Sequence, residues 1–380
     1  MEPLRTVNES RQYLIHFFEK YSAKRPLIVC GNSWKKMKLN QELVRLEEEM
    51  GIKITYFSEF EPNPQYESVI KGVDTFQACR CDCIVAAGGG SAIDVAKCIK
   101  LYCKIDLQSA FQDAGCLLKK RVSSNNVPFL AIPTTAGTGS EATTFAVIYY
   151  KHDKQSVDDL SLLPSDILLC PELLKGLPVY QRKSTMLDVL CHAVESYWSV
   201  HSTEESRRLA SEAIILFRTH RRGYLENTET GNAGMLCAAN LAGRAINITK
   251  TTAAHAMCYK LTTLYGMPHG QAAAICLPHV WRYMTQHMEA VSDSRGQEYL
   301  FGVFKELAFL LTGIRDAAIE EGITSVEGLL SELGLGTPAP AAEEELHTLT
   351  NSVNAQRLSN NPVTLSNKDL EKIYRNILHI

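Results

Sequence analysis

Four residues in the second half of the chain could bind a metal ion. Asp188 and His192 are four residues apart, which places both side chains on one face of a helix. His255 lies in a later helical segment, and His269 follows it. One carboxylate with three imidazoles suits a divalent transition metal such as Fe²⁺ or Zn²⁺. Each histidine taken singly is also compatible with an ordinary core or polar position, so the spacing alone leaves both interpretations open.

Two polar loops in the first half indicate a different chemistry. Residues 88–91, Gly-Gly-Gly-Ser, follow the apolar segment 83–87 and open the helical segment 92–102. Glycines let the backbone approach a phosphate closely, and a new helix presents free N–H groups there. A second loop, 133–141, also follows an apolar segment. Both loops can face one dinucleotide at the edge of a parallel sheet. A tight turn without a ligand is the alternative for the first loop.

The elements that must position these residues change in character near residue 170. Before it, short apolar strands alternate with helical periodicity, which predicts a parallel sheet covered on both faces. The predicted strands are 26–30, 53–57, 83–87, 128–132 and 143–150. Beyond it only helical patterns follow, the long ones at 184–201, 204–220, 231–246, 252–265, 271–286 and 295–312. We therefore predict an α/β domain over 1–170 and an all-α domain over 171–380.

Composition excludes several classes of protein. The 380 residues include 39 Lys and Arg against 42 Asp and Glu, a net charge of −3, which argues against nucleic acid or an anionic membrane as a partner. No apolar run reaches about 18 residues, and the first residues do not resemble a secretory leader. The twelve cysteines are scattered and are expected to be reduced thiols. We expect a cytoplasmic protein.

Taken together, the motifs resemble the iron-containing (group III) alcohol dehydrogenases, within the dehydroquinate synthase-like superfamily. The matching segments follow the family's order and are 61–64, 88–97, 133–141, 188–195, 255–257 and 268–270. The resemblance implies a Rossmann-like N-terminal domain and a helical metal-binding C-terminal domain. It also implies an enzyme that interconverts a small aldehyde and an alcohol with NADPH or NADH, and a homo-oligomer such as a dimer.

The resemblance also implies roles for individual residues. Asp188, His192, His255 and His269 would be the ligands of one divalent metal, Fe²⁺ or Zn²⁺. The cofactor-binding residues would be Gly31, Asn63, Gly89, Gly90, Ser91, Thr134, Thr135, Thr138, Thr143 and Lys154. Gly31 stands where many NAD-using relatives have an aspartate against the ribose hydroxyls. Because a 2′-phosphate is not repelled there, NADPH is slightly favoured.

Two departures from the family pattern concern the substrate. Tyr259 stands where many relatives carry a second histidine, so it could donate a proton or simply pack. Lys250, Thr251 and Thr252 precede His255 where relatives have small apolar residues. A lysine among hydroxyls suits an anionic, oxygen-rich group, although a surface lysine at a helix start is the alternative. We expect Tyr259 and Lys250 to act in catalysis and Lys250, Thr251 and Thr252 to bind substrate.

This arrangement resembles the phosphonoacetaldehyde reductases of the family, which predicts the reduction of phosphonoacetaldehyde to 2-hydroxyethylphosphonate. A dehydrogenase for a neutral short-chain alcohol or diol is the main alternative, since it needs the same metal and cofactor residues. A dehydroquinate synthase-like lyase is a weaker alternative, because the dense set of basic substrate residues of that class is not evident in the sequence.

Overall fold

The computed structural model describes residues 2–105, 125–151, 153–338 and 343–379. The chain forms two compact units, Met1–Gly176 and Leu177–Ile380. The first contains a parallel sheet with helices, and the second is mostly helical, so the predicted fold class is confirmed. The described cysteines are free thiols, and all of them except Cys79 are buried. Cys116 lies outside the described residues.

A five-stranded parallel sheet forms the centre of the first unit, in the order β2-β1-β3-β4-β7. The strands of this unit are β1 Pro26–Cys30, β2 Thr55–Phe57, β3 Cys83–Gly88, β4 Phe129–Pro133, β5 Phe145–Tyr150, β6 Asp153–Asp158 and β7 Asp166–Ile167. Its helices are α1 Val7–Lys20, α2 Lys38–Met50, α3 Tyr66–Ala78 and α4 Gly90–Tyr102.

The apolar runs of the central strands supply two separate cores. Leu27 of β1 and Ile84 of β3 belong to one cluster of buried residues, whereas Ile28 and Val85 belong to another. Successive strand residues point to opposite faces, so a strand that is apolar at every position has two buried faces. This explains why β1 and β3 are buried along their whole length.

The sequence-based strand at 143–150 forms, but not in the parallel sheet. It is β5, which pairs antiparallel with β6 in a two-stranded sheet. The β6 sequence, Asp-Lys-Gln-Ser-Val-Asp, has one apolar residue and therefore no hydrophobic pattern from which a strand could be predicted. A polar strand of this kind is tolerated because an antiparallel sheet can bury one face and leave the other to solvent.

Helices make up the second unit. They are α5 Val179–Trp198, α6 Glu204–Leu225, α7 Glu229–Thr249, α8 Ala253–Tyr265, α9 His269–Gln286, α10 Gln297–Thr312, α11 Ile319–Glu332, α12 Glu343–Asn351, α13 Ala355–Leu358 and α14 Asn367–Leu378. The stretch of α5 from Met186 to Trp198 is buried at every position, so this helix lies inside the unit. In the described residues, no helix combines the length and apolarity needed to cross a membrane.

Candidate active site

The two polar loops of the first unit contact each other. The backbone N–H of Thr134, directly after β4, donates to the carbonyl of Gly88 at 2.9 Å. A Cβ atom on Gly90 would lie 2.8 Å from a methyl carbon of Thr138, and one on Gly89 would lie 3.2 Å from the Thr135 side chain. A side chain at Gly90 would therefore force Thr138 to move, and one at Gly89 would crowd Thr135, so the glycines favour this close approach of the two loops at the start of α4.

Most of the predicted cofactor residues are brought to this edge of the sheet. Gly89, Gly90 and Ser91 open α4, whose first N–H groups have no partner within the helix and can accept a phosphate. Thr134, Thr135 and Thr138 lie on the neighbouring loop, and Gly31 follows β1, the strand beside β3. Because parallel strands end at one edge, these seven residues share it.

Asn63 and Lys154 flank a different point, Tyr149 in β5. Tyr149 is paired with Lys154 across the hairpin, and its N–H donates to the carbonyl of Pro64 at 2.8 Å. Asn63 is exposed and has a φ of +59°, a conformation that asparagine adopts more readily than most residues. The structure thus places Asn63 and Lys154 beside the hairpin.

Thr143 has a different environment from the other predicted cofactor residues. It is 1% exposed, and its hydroxyl accepts a hydrogen bond of 2.8 Å from Nζ of Lys97. Lys97 is fully buried and also donates to Ser140 Oγ at 3.2 Å and to the Phe145 carbonyl at 2.8 Å. The Thr143 hydroxyl is therefore engaged within the chain and helps to fix the loop, and its direct contact with the cofactor stays a prediction.

Asp94 completes the buried network around Lys97. It accepts hydrogen bonds from Ser140 Oγ at 2.6 Å and from the Val147 N–H at 3.0 Å. Burial lowers the pKa of Lys97 to about 8, although the nearby charge of Asp94 opposes that shift. Asp94 and Lys97 lie in the segment that matches the family, but no role was predicted for them. Their i,i+3 spacing on α4 is the sequence feature that could have indicated the pair.

The second unit brings the predicted metal ligands together from three helices. One ligand atom each from Asp188 on α5, His255 on α8 and His269 at the start of α9 lie within 4.8 Å of one another. His192, one turn after Asp188, has its Nε2 3.8 Å from Asp188 Oδ1, and its ring stacks on that of His255 with centroids 4.6 Å apart. All four side chains form one cluster.

Gly270 explains how α9 comes so close to α5. A Cβ atom at this position would lie 2.0 Å from the Ser184 carbonyl oxygen and 2.9 Å from Cβ of Asp188. Only glycine permits that approach, which brings His269 next to Asp188. In the His-Gly pair, His269 is the predicted ligand, and Gly270 makes room for it beside Asp188.

Glu195 supports the cluster from behind and was not predicted to have a role. It is 0% exposed, and its Oε2 forms a short hydrogen bond with Nδ1 of His255. Its Oε1 accepts hydrogen bonds from the Thr252 hydroxyl at 2.8 Å and from the N–H groups of Thr252 and His255, both at 3.2 Å. With Nδ1 held this way, Nε2 of His255 is directed at Asp188, 3.4 Å from Oδ1.

The charged groups of the cluster shift one another's pKa values. Burial raises the pKa of the Asp188 carboxyl, but the adjacent His192, His255 and His269 outweigh burial and hold that pKa well below its usual range. Burial also lowers the pKa of His255, yet the charge of Glu195 and the hydrogen bonds to Asp188 and Glu195 raise it to about 9. A histidine binds a metal only when its coordinating nitrogen is deprotonated, so cation binding would compete with protonation of His255.

The donor set fits a divalent transition metal. Imidazole nitrogens and a carboxylate oxygen converge on one point, the carboxylate is held as an anion, and one ligand histidine is oriented by a second carboxylate. Such an outer carboxylate is typical of histidines that bind metals. Asp188, His192, His255 and His269 would hold the ion. The donor types alone are compatible with both Fe²⁺ and Zn²⁺.

The predicted substrate residues take different positions. Tyr259 stacks on His269, with ring centroids 5.5 Å apart and an interplanar angle of 5°. Lys250 ends α7 with a φ of +59°, and Thr251 is buried beside it. Thr252 is 0% exposed, and its hydroxyl bonds to Glu195 and to Trp198 Nε1. The Thr252 hydroxyl therefore supports the metal cluster through Glu195, and its predicted role in substrate binding stays a prediction.

An arginine that was not predicted lies next to these residues. Arg357 Nη1 donates to Thr251 Oγ1 at 2.8 Å, and its guanidinium carbon is 5.2 Å from the centre of the Tyr259 ring. It belongs to α13, a single helical turn far along the chain. No local pattern marks this arginine, because its position depends on a contact between residues about a hundred positions apart.

Comparison with known proteins agrees with this geometry. The family model for iron-containing alcohol dehydrogenases matches residues 5–171, and the model for the family's C-terminal domain matches residues 183–378. The chain is 30% identical over 262 residues to the NADPH-dependent butanol dehydrogenase of Clostridium saccharobutylicum, covering 68% of this chain and 67% of that protein. It is 31% identical over 318 residues to the phosphonoacetaldehyde reductase of Streptomyces viridochromogenes, covering 81% and 79%.

A solved structure extends the comparison. Sulfoacetaldehyde reductase from Bifidobacterium kashiwanohense, in complex with NAD⁺, superposes with a TM-score of 0.83 at 26% identity and covers 97% of this chain and 94% of that one. The chain spans only 33% of the length of the aldehyde-alcohol dehydrogenase of Streptococcus pneumoniae, which it also matches. With both units matched and the metal cluster assembled, the chain belongs to the iron-containing alcohol dehydrogenase family, whose members are NAD(P)-dependent oxidoreductases of aldehydes and alcohols.

Proposed function

We propose that the protein reduces a short aldehyde that carries an anionic oxyacid group, and specifically phosphonoacetaldehyde to 2-hydroxyethylphosphonate. The observation that supports this proposal is the position of the basic segment Lys250–Thr251. It directly precedes Thr252, which contacts Glu195 and, through it, His255. A cationic segment so close to the metal ligands suits a substrate whose anionic group is one or two bonds from its carbonyl.

The conformation of Lys250 supports a functional role for this segment. Its φ of +59° is unfavourable for a residue with a side chain, and neighbouring groups hold it. The Lys250 N–H donates to the Ile246 carbonyl at 2.8 Å, and the Thr249 hydroxyl donates to the Lys250 carbonyl at 2.9 Å. A strained residue that is fixed from both sides is typical of functional sites.

The chemistry divides between the cofactors and the chain. A divalent cation held by Asp188, His192, His255 and His269 would supply Lewis acidity to a carbonyl oxygen, and bound NADPH would supply the hydride. Tyr259, against His269, would donate its phenolic proton to the former carbonyl oxygen, which carries negative charge once the hydride has been added, so that it becomes the hydroxyl of the product, and Tyr259 would recover a proton from solvent. Lys250 and Thr251 would orient the substrate by its anionic end.

We infer that NADPH is preferred over NADH. Gly31 leaves the end of β1 without the carboxylate that would repel a 2′-phosphate, and Lys35 follows within one turn. The butanol dehydrogenase relative is named as NADPH-dependent, whereas the sulfoacetaldehyde reductase structure contains NAD⁺, so relatives of both kinds exist.

The test is a substrate panel with both reduced cofactors. Metal-loaded protein is assayed by nicotinamide absorbance with phosphonoacetaldehyde, sulfoacetaldehyde and butanal. We expect kcat/KM for phosphonoacetaldehyde to exceed that for butanal by about 10-fold or more, since a charge-assisted contact contributes about 1.5–3 kcal/mol. A higher kcat/KM for butanal would contradict the proposal. It would favour the neutral-alcohol alternative, which the similarity to a butanol dehydrogenase supports.

A further inference from the structure

Arg357 is a cationic side chain that contacts Thr251 and Tyr259, two residues predicted to act on the substrate, and so lies beside the metal cluster. Its Nη1 donates to Thr251 Oγ1 at 2.8 Å, and its guanidinium lies 5.2 Å from the centre of the Tyr259 ring. Tyr259 itself stacks on His269. One aromatic ring therefore contacts both a predicted metal ligand and this arginine.

The charge of Arg357 is not neutralised by the part of the chain that the structure describes. No carboxylate oxygen there lies within 4.0 Å of its guanidinium. In contrast, Arg207, Arg282 and Arg375 each form an ion pair with a glutamate. Arg357 is also half-buried, so its charge is less screened by water than that of an exposed arginine. Such a guanidinium is well suited to an anionic ligand.

The segment around Arg357 is held against Thr251 by more than one contact. Asn360 Nδ2 donates to the Thr251 carbonyl at 3.0 Å, in addition to the bond from Arg357 to the Thr251 hydroxyl. Thr251 is 5% exposed, so these are interior contacts. The next residue, Thr252, hydrogen-bonds to Glu195. The arginine is therefore anchored to the segment Thr251–Thr252, which supports His255 through Glu195.

We propose that Arg357 binds the anionic group of the substrate and determines specificity for anionic over neutral aldehydes. The proposal rests on the proposed function and assigns its substrate selectivity to a residue outside the Lys250–Thr252 segment. A guanidinium presents two parallel N–H groups to two oxygens of a phosphonate or sulfonate, which a lysine cannot do. Only one nitrogen of Arg357 bonds to Thr251, which leaves further donors for a ligand.

The experiment compares two aldehydes of one shape that differ in charge. Phosphonoacetaldehyde and 3,3-dimethylbutanal both carry a tetrahedral group next to the CH₂–CHO unit, but only the first is anionic. In Arg357→Met we expect KM for phosphonoacetaldehyde to rise about 30- to 100-fold, while kcat/KM for 3,3-dimethylbutanal changes less than about 3-fold. Arg222→Met, an arginine with a 90% exposed side chain, is the matched control and should change neither value.

A second variant separates charge from folding. In Arg357→Gln an amide can still donate to Thr251 but has neither the charge nor the paired donors, so the same selective rise in KM is expected. Metal content and melting temperature are measured for each variant. An equal loss with both aldehydes in folded, metal-loaded Arg357→Gln would overturn the assignment and leave the proposed function standing. Wild-type preference for 3,3-dimethylbutanal would instead refute the proposed function and, with it, this assignment.

Discussion

Single residues that hydrogen-bond to the predicted metal ligands are expected to control how tightly the cluster binds a metal. Glu195 illustrates this, because it is 0% exposed and makes four hydrogen bonds with the segment 252–255. Its carboxylate fixes which nitrogen of His255 carries the proton. Since Nδ1 bonds to Glu195, Nε2 remains for a cation beside Asp188.

Replacing Glu195 with glutamine should weaken metal binding. The glutamine oxygen can still accept from the Thr252 and His255 N–H groups, which leaves its NH₂ to donate to Nδ1 of His255. The ring proton then moves to Nε2, and that nitrogen can no longer bind a cation. We expect the dissociation constant for Zn²⁺, measured by chelator competition, to rise about 10- to 100-fold. Glu212→Gln, on the surface of α6, is the control.

The metal-affinity measurement distinguishes positioning from folding. The melting temperature of metal-free Glu195→Gln should stay close to that of the metal-free wild type, because the amide preserves most of the hydrogen bonds. A variant with wild-type Zn²⁺ affinity would show that Glu195 does not set the tautomer of His255.

At the scale of elements, side chains of helix α4 hold the loop after β4 in place through hydrogen bonds. Lys97 of α4 donates to Ser140, Thr143 and the Phe145 carbonyl, while Asp94 accepts from Ser140 and Val147. The helix whose N-terminus is predicted to bind a phosphate thus also holds the neighbouring loop and the hairpin in place. We infer that the two sides of the nucleotide site are rigidly coupled through α4.

Replacing Lys97 with methionine should therefore impair cofactor binding from a distance. Three hydrogen bonds are lost and Asp94 loses its counter-charge, so the loop 134–143 loosens. We expect the dissociation constant for NADPH, from fluorescence titration, to rise about 10-fold, a loss of about 1.4 kcal/mol. Zn²⁺ affinity should not change, since the metal ligands lie in the second unit. Lys71→Met on the exposed face of α3 serves as the control, and wild-type NADPH affinity in Lys97→Met would contradict the coupling.

At the scale of the whole molecule, each compact unit carries one part of the chemistry. The polar loops lie in Met1–Gly176, and the metal cluster lies in Leu177–Ile380. A ligand stabilises the structure that it binds, by about 2.7 kcal/mol at a hundred times its dissociation constant. Zn²⁺ and NADPH should therefore stabilise different segments of the chain.

Amide hydrogen exchange can locate the segments that each ligand stabilises. Zn²⁺ should slow exchange most in α5, α8 and α9, where the ligands lie, whereas NADPH should slow it most in residues 88–93 and 134–140. The matched comparison is Glu195→Gln with Zn²⁺, in which the protection of α8 should be reduced. If Zn²⁺ protected β1–β4 as strongly as α5, the assignment of the metal to the second unit would be wrong.

The sequence by itself determined the fold class and most of the helices and central strands. Apolar runs in β1, β3 and β4 and long helical periodicities after Leu177 are local patterns that burial requires, so they can be recognised without a structure. The residue types and the local family motifs also predicted Asp188, His192, His255 and His269 as metal ligands, and the structure brings these four side chains together, while their binding of a metal stays a prediction. The polar strand β6 was missed, since it has no hydrophobic pattern.

Only the tertiary structure decided what surrounds those residues. It turned Thr143 toward Lys97 and Thr252 toward Glu195, and it brought Arg357 to Tyr259. A buried hydroxyl forms its hydrogen bonds with the polar groups that the fold places next to it. The role of an arginine likewise depends on which distant segment packs against it. These facts arise from long-range contacts, for which the local sequence contains no pattern.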